Sequence, residues 1–152
     1  MKEPKFWTNA PQNPGWQARA LSPLGALYAR ATRRRLEKPG YTASVPVICI
    51  GNLNAGGTGK TPTTIALMQA LTARGVDVHV VSRGYGGRLE GPVRVDEAKH
   101  SAKDVGDEPL LMAAFGPVWV ARDREQGVRR AEEAGAQVIW LDDGFHNPSV
   151  VK

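Results

Sequence analysis

Residues 51–61 read Gly-Asn-Leu-Asn-Ala-Gly-Gly-Thr-Gly-Lys-Thr, and no other stretch of the chain points so directly to a chemistry. A loop that grips the phosphates of a nucleoside triphosphate must converge backbone N–H groups on oxygen, and glycine lets the chain approach that closely. Gly56, Gly57 and Gly59, with Thr58 between them, meet this need. Lys60 can reach the β- and γ-phosphates, Thr61 can offer its hydroxyl to Mg²⁺, and a helix starting there turns its positive end toward the anion. The strict form of such loops has glycine where Asn54 stands, and asparagine is the residue next most tolerant of a left-handed backbone.

A metal at that site also needs a carboxylate from a neighbouring strand. Val138, Ile139, Trp140 and Leu141 form an apolar run that delivers Asp142 and Asp143 to the carboxyl edge of a sheet, where ligands bind in folds of this kind. A third acid, Asp107, stands in Gly106-Asp107-Glu108-Pro109 just before an apolar stretch, where it can cap a helix.

The elements that must position these residues follow from periodicity. An apolar run over 45–50 predicts a buried strand, with Pro46 tolerable only at its beginning. The phosphate loop feeds a helix from Thr61, with Pro62 in its first turn, and Ile65, Leu67, Met68 and Leu71 form the buried stripe up to Gly75. Residues 76–81 read as the next strand and lead into Ser82-Arg83-Gly84-Tyr85-Gly86. A glycine-rich, charged stretch to about 105 predicts one short hairpin. A helix follows from Asp107 to Gly116, then a short strand over 117–120, a charged helix over 123–134 and a last strand over 137–141. Strands alternating with helices predict an α/β fold, a P-loop NTPase-like three-layer sandwich with a mostly parallel sheet. Before it, Ser22-Pro23 predicts the start of an amphipathic helix carrying Leu24, Leu27, Tyr28 and Ala31, ending near Pro39-Gly40. Residues 1–15, rich in Pro, Asn and Gln, predict no regular structure beyond local contacts of Phe6 and Trp7. The expected division is an N-terminal arm over 1–40 and a nucleotide-binding domain over 41–152.

Composition is that of a globular protein, 41% hydrophobic and 23% charged. The net charge of +5 is unevenly spread: residues 1–40 carry eight Lys and Arg against two Glu, and the remainder is close to neutral. Basicity is thus a property of the arm, and a nucleic-acid-binding surface over the domain is not expected. The single cysteine, Cys49, excludes a disulfide within the chain and reads as a small buried side chain. No stretch reaches the roughly 18–20 apolar residues that cross a bilayer, and the N-terminus lacks the apolar core of a signal peptide, so a cytosolic protein is expected.

Gly51-Asn52, the segment from Gly56 to Pro62, Ser82-Arg83-Gly84-Tyr85-Gly86, Gly106-Asp107-Glu108-Pro109 and Asp142-Asp143-Gly144-Phe145, in this order, resemble the tetraacyldisaccharide 4′-kinase family of lipid A synthesis. The resemblance implies transfer of the ATP γ-phosphate to the 4′-hydroxyl of a lipid A disaccharide precursor at the cytoplasmic face of a Gram-negative inner membrane. It implies that Lys60 and Thr61 hold phosphate and Mg²⁺, that Asp142 and Asp143 complete the metal site, and that Asp107 activates the sugar hydroxyl. His146 stands where the family usually has glutamine, and the chain is close to half the usual family length, so it is expected to lack a second lobe.

Under this reading the arm has a partner, an anionic inner-membrane surface. Arg30, Arg33, Arg34, Arg35 and Lys38 would face the lipid headgroups while Trp7, Trp16, Leu24, Leu27 and Tyr28 insert; the alternative is a helix packed on the domain with its arginines in water. Two other functions compete. A membrane-associated switch ATPase of the partition and cell-division type would carry a signature lysine where Ala55 stands, and a nonfunctional nucleotide-binding fragment would retain the loop alone.

Overall fold

A computed structural model describes residues 4, 8–10, 12–36, 39–51, 59–142, 144 and 147–152. The expectations for Phe6 and Trp7, for Gly56, Gly57 and Thr58 in the phosphate loop, and for Asp143 and His146 therefore lie outside the described residues. The chain separates into two compact units, Met1–Lys38 and Pro39–Lys152.

The first unit holds one helix, α1 (Gly15–Leu36). It runs through Ser22-Pro23 instead of starting there, with Pro23 inside the helix. A proline in a helix interior lacks the N–H that would bond four residues back and costs about 3 kcal/mol. The residues ahead of it, Gln17, Ala18, Arg19, Ala20 and Leu21, are strong helix formers that carry the helix back to Gly15. Trp16, Leu24, Leu27 and Tyr28 are all exposed. Among the described residues no helix is long and apolar enough to cross a membrane.

The second unit is a five-stranded sheet in the order β1-β5-β2-β4-β3. The strands β1 (Val47–Ile50), β2 (Val78–Ser82), β4 (Val118–Val120) and β5 (Val138–Asp142) are parallel, as the strand–helix alternation predicts. Val, Ile and Trp dominate all four, residue types that suit a pleated surface, but β1 lies at the sheet edge and is only partly buried, with Ile48 44% exposed, where the sequence predicts a buried strand. Strand β3 (Val93–Arg94) departs from expectation. It forms no hairpin of its own and instead pairs antiparallel with the edge of β4, Val93 opposite Val120.

Side chains alternate between the two faces of a strand, and the two cores follow that parity. Val78 and Val80, Val118 and Val120, and Trp140 point to one face, where they meet Met68 of α2 (Lys60–Thr72) and Met112 of α4 (Asp107–Ala113). Val81, Ile139 and Leu141 point to the other and pack on Val128 and Ala131 of α5 (Arg124–Glu133). The result is the three-layer α/β sandwich. In α2 the buried residues are Thr64 and Met68, with Ile65 and Leu71 packed beside them; Leu67, expected in the stripe, is 39% exposed because it falls on the outer side of that helix. In α5 the buried set Arg124, Gly127, Val128 and Ala131 has the spacing of one helical face.

A second set of contacts ties the two ends of this unit together. Tyr41 forms a parallel bridge with Val150, and its hydroxyl donates to Glu132 of α5 at 2.7 Å. Glu132 also accepts from the N–H and hydroxyl of Ser44, each at 2.6 Å. Burial opposes the charge on Glu132, yet these bonds hold its carboxyl below the ordinary carboxylate range.

Candidate functional site

The pairing of β1 with β5 aligns Ile50 with Asp142. Ile50 is the last strand residue before the phosphate loop, so the parallel register alone sets the acid beside the root of that loop. By parity Asp142 follows Trp140 and lies on the α2 side of the sheet, the side on which the loop returns as a helix. That return is made at Gly59, whose φ of +80 puts it in the left-handed region as the N-cap of α2. Lys60 and Thr61 are then the first two residues of the helix, one residue earlier than the sequence predicts.

Lys60, Asp107 and Asp142 line one open cavity of about 590 Å³ at the carboxyl edge of the strands. Arg83 and Tyr85 join them from the turn after β2, and Tyr85 is 92% exposed. Asp107 is not the helix cap. Gly106 occupies that position, with φ +93, and Asp107 is the first helical residue of α4. The cap has to be glycine here because a Cβ on Gly106 would stand 2.6 Å from the carbonyl oxygen of Tyr85. Two glycine-rich segments thus touch backbone to backbone, and that contact delivers Asp107 to the cavity beside Tyr85.

The turn itself is held from below. A capping box at Ser101 and Asp104 fixes the short helix α3 (Ala102–Val105) just ahead of Gly106. Hydrogen bonds from Ser101, joined by one from Arg88 at 2.7 Å, hold the Asp104 carboxyl down at about 2.

Three further residues line the cavity to which the sequence assigns no role: Ser82 and Glu108, which stand inside two of the motifs, and Arg124. The Ser82 hydroxyl donates to Asp142 Oδ2 at 3.0 Å. Glu108 accepts from the Thr61 hydroxyl at 3.4 Å, bridging the starts of α4 and α2. Arg124 is 3% exposed, and its Nη2 donates to the main-chain oxygen of Asp142 at 2.8 Å. Each ends a strand or opens a helix at the same sheet edge, and that shared placement is the signal the sequence did offer.

The donor set suits a hard divalent cation. Thr61 supplies a hydroxyl and Asp142 a buried carboxylate, and magnesium is usually held by one or two carboxylates together with substrate phosphates instead of an all-protein cage. Among the described residues no three His, Cys, Asp or Glu side chains form a metal cluster of their own.

The family model for tetraacyldisaccharide-1-P 4′-kinase matches residues 17–152. The tetraacyldisaccharide 4′-kinase of Dinoroseobacter shibae is 65% identical over 153 residues, covering 100% of this chain and 45% of its own. That of Rhodospirillum rubrum is 52% identical over 153 residues with the same coverage. A crystal structure of LpxK from Aquifex aeolicus in complex with ATP superposes with a TM-score of 0.70 at 32% identity, covering 90% of this chain and 47% of that one. The chain therefore spans about half the length of the curated relatives it matches.

Proposed function

Because this chain belongs to the tetraacyldisaccharide-1-P 4′-kinase family, we propose that its cavity is the nucleotide half of an enzyme that moves the γ-phosphate of ATP to the 4′-hydroxyl of a tetraacyldisaccharide 1-phosphate lipid. The observation that carries this reading is the pairing of Ile50 with Asp142, which sets an acid beside the phosphate loop and across one cavity from Lys60 and Asp107.

Phosphoryl transfer asks a protein mainly for positioning and for charge where oxygen becomes negative. The loop over 51–59 and the positive end of α2 receive the phosphates, and Lys60 places its ammonium against the β- and γ-oxygens. Thr61, Asp142 and Asp143 would hold Mg²⁺, which when bound would supply positive charge against the negative charge that develops on the phosphate. Asp107, exposed at the start of α4, orients the attacking sugar hydroxyl and takes its proton late in the transfer. The arm would bind the anionic surface of a Gram-negative inner membrane from its cytoplasmic face, as a peripheral element, and so bring the cavity to its lipid.

The test uses the intact gene product, labelled ATP and the purified disaccharide lipid. Lys60→Ala and Asp107→Asn should each lower transfer by about 10²-fold or more. Asp107→Asn should cost no more than the roughly 0.3–1 kcal/mol that a first-turn charge contributes to a helix. No transfer by the unmodified protein sinks the reading. Full transfer with a lowered melting temperature in Asp107→Asn would return that residue to a purely structural role.

A further inference from the structure

Ser82 ends β2 and lies 4% exposed against Asp142, itself 5% exposed. A serine hydroxyl has one hydrogen, and here it goes to Asp142 Oδ2 at 3.0 Å. The Ser82 Oγ in turn accepts from the Gly84 N–H at 3.4 Å, so the hydroxyl is oriented from both sides. Gly84 cannot drift: it has φ +70, and a Cβ there would stand 2.5 Å from Val120 Cγ1, so the turn is seated on β4. Arg124 holds the main-chain oxygen of Asp142 at 2.8 Å. With the backbone fixed by Arg124, the remaining freedom of Asp142 is rotation of its side chain, and Ser82 is the group that removes it. Among the described residues nothing donates to Oδ1.

We propose that Ser82 is a positioning residue whose hydroxyl fixes the Asp142 carboxylate in the orientation that holds the divalent cation of the phosphate site. The proposal rests on the reading of Asp142 as a metal ligand. Groups that orient a ligating carboxylate without touching the metal commonly contribute 10–100-fold to metal affinity. A serine that merely satisfied a buried carboxylate would affect folding and leave metal affinity alone.

The experiment measures Mn²⁺ affinity by electron paramagnetic resonance on the intact gene product with a non-hydrolysable ATP analogue bound. Analogue binding in EDTA is followed in parallel by thermal shift. Ser82→Ala should weaken Mn²⁺ by tenfold or more, Ser82→Thr should restore it to within threefold, and metal-free analogue binding should stay unchanged in both. Asp142→Asn separates the two layers of the argument. If it weakens Mn²⁺ while Ser82→Ala changes affinity by less than threefold, Ser82 has no positioning role; if it leaves Mn²⁺ affinity unaltered, the metal reading of Asp142 itself is wrong. Loss of metal-free analogue binding in Ser82→Ala would also overturn the proposal, because the defect would then be one of general site shape.

Discussion

His79 sits 2% exposed on the face of β2 opposite α2, and Trp119 Nε1 donates to its Nδ1 at 3.2 Å. That bond assigns the ring proton to Nε2, which faces Asp77 Oδ1 at 3.4 Å. Burial pushes the His79 pKa below its ordinary 6.5, against the pull of Asp77 and with Arg94 acting in the same direction as burial. The unfolded chain therefore takes up a proton near pH 6.5 while the folded chain does not. Stability from this residue is complete above about pH 6.5 and falls as the pH drops from there through the folded pKa, by at most about 1.4 kcal/mol per pH unit. Denaturant titrations at pH 7.5, 6.5 and 5.5 should show this slope in the native sequence and a flatter one in His79→Gln. Equal slopes would mean that the imidazole titrates alike in both states. Nothing in the sequence marks His79 as buried, since the tryptophan that partners it arrives 40 residues later.

Helix α5 approaches the sheet closely because Gly127 faces it. A Cβ on Gly127 would lie 2.7 Å from Val81 Cγ1 and 2.8 Å from Ala121 Cβ. Replacing a helical glycine by alanine ordinarily stabilises by about 1 kcal/mol, but forcing a methyl into a packed interface costs about 1–3 kcal/mol. Val81 and Ala121 are both fully buried, so overpacking should win. Gly127→Ala is expected to lower stability by about 1–2 kcal/mol in equilibrium unfolding, and a gain would show that α5 can move outward freely. The helix itself was legible from its charged outer residues and from Asp123, whose side chain accepts from the N–H groups of Glu125 and Gln126. The closeness of its approach was not, because glycine in a helix reads only as a weak spot until its neighbours are known.

The molecule consists of a basic helix and an α/β unit, each compact by itself. The apolar stripe of α1 is exposed at Trp16 by 75% and at Tyr28 by 76%, and it is accompanied by Arg30, Arg33 and Arg34. Each basic residue near an anionic leaflet contributes about 1 kcal/mol before screening, enough together to hold such a helix at a lipid surface. Removing residues 1–40 should reduce co-sedimentation with anionic liposomes at least tenfold, and raising the salt should weaken binding of the intact protein in the same assay. Unchanged sedimentation after the deletion would rule out the arm as the membrane contact.

Local sequence determined much of this protein: the order of strands and helices, the glycine-rich loop ending in Lys60 and Thr61, and the acid that ends β5. These are written in near neighbours, through periodicity and through the conformations that glycine and proline permit. Tertiary structure decided what depends on register and on distant partners. It set Asp142 beside Ile50, freed Asp107 from capping by giving Gly106 that position, sent β3 to the edge of β4, and turned Ser82 toward Asp142. Such contacts join residues 25 to 92 positions apart, where no local spacing rule reaches, and the packing of the sheet alone selects among the pairings that the same residues could make.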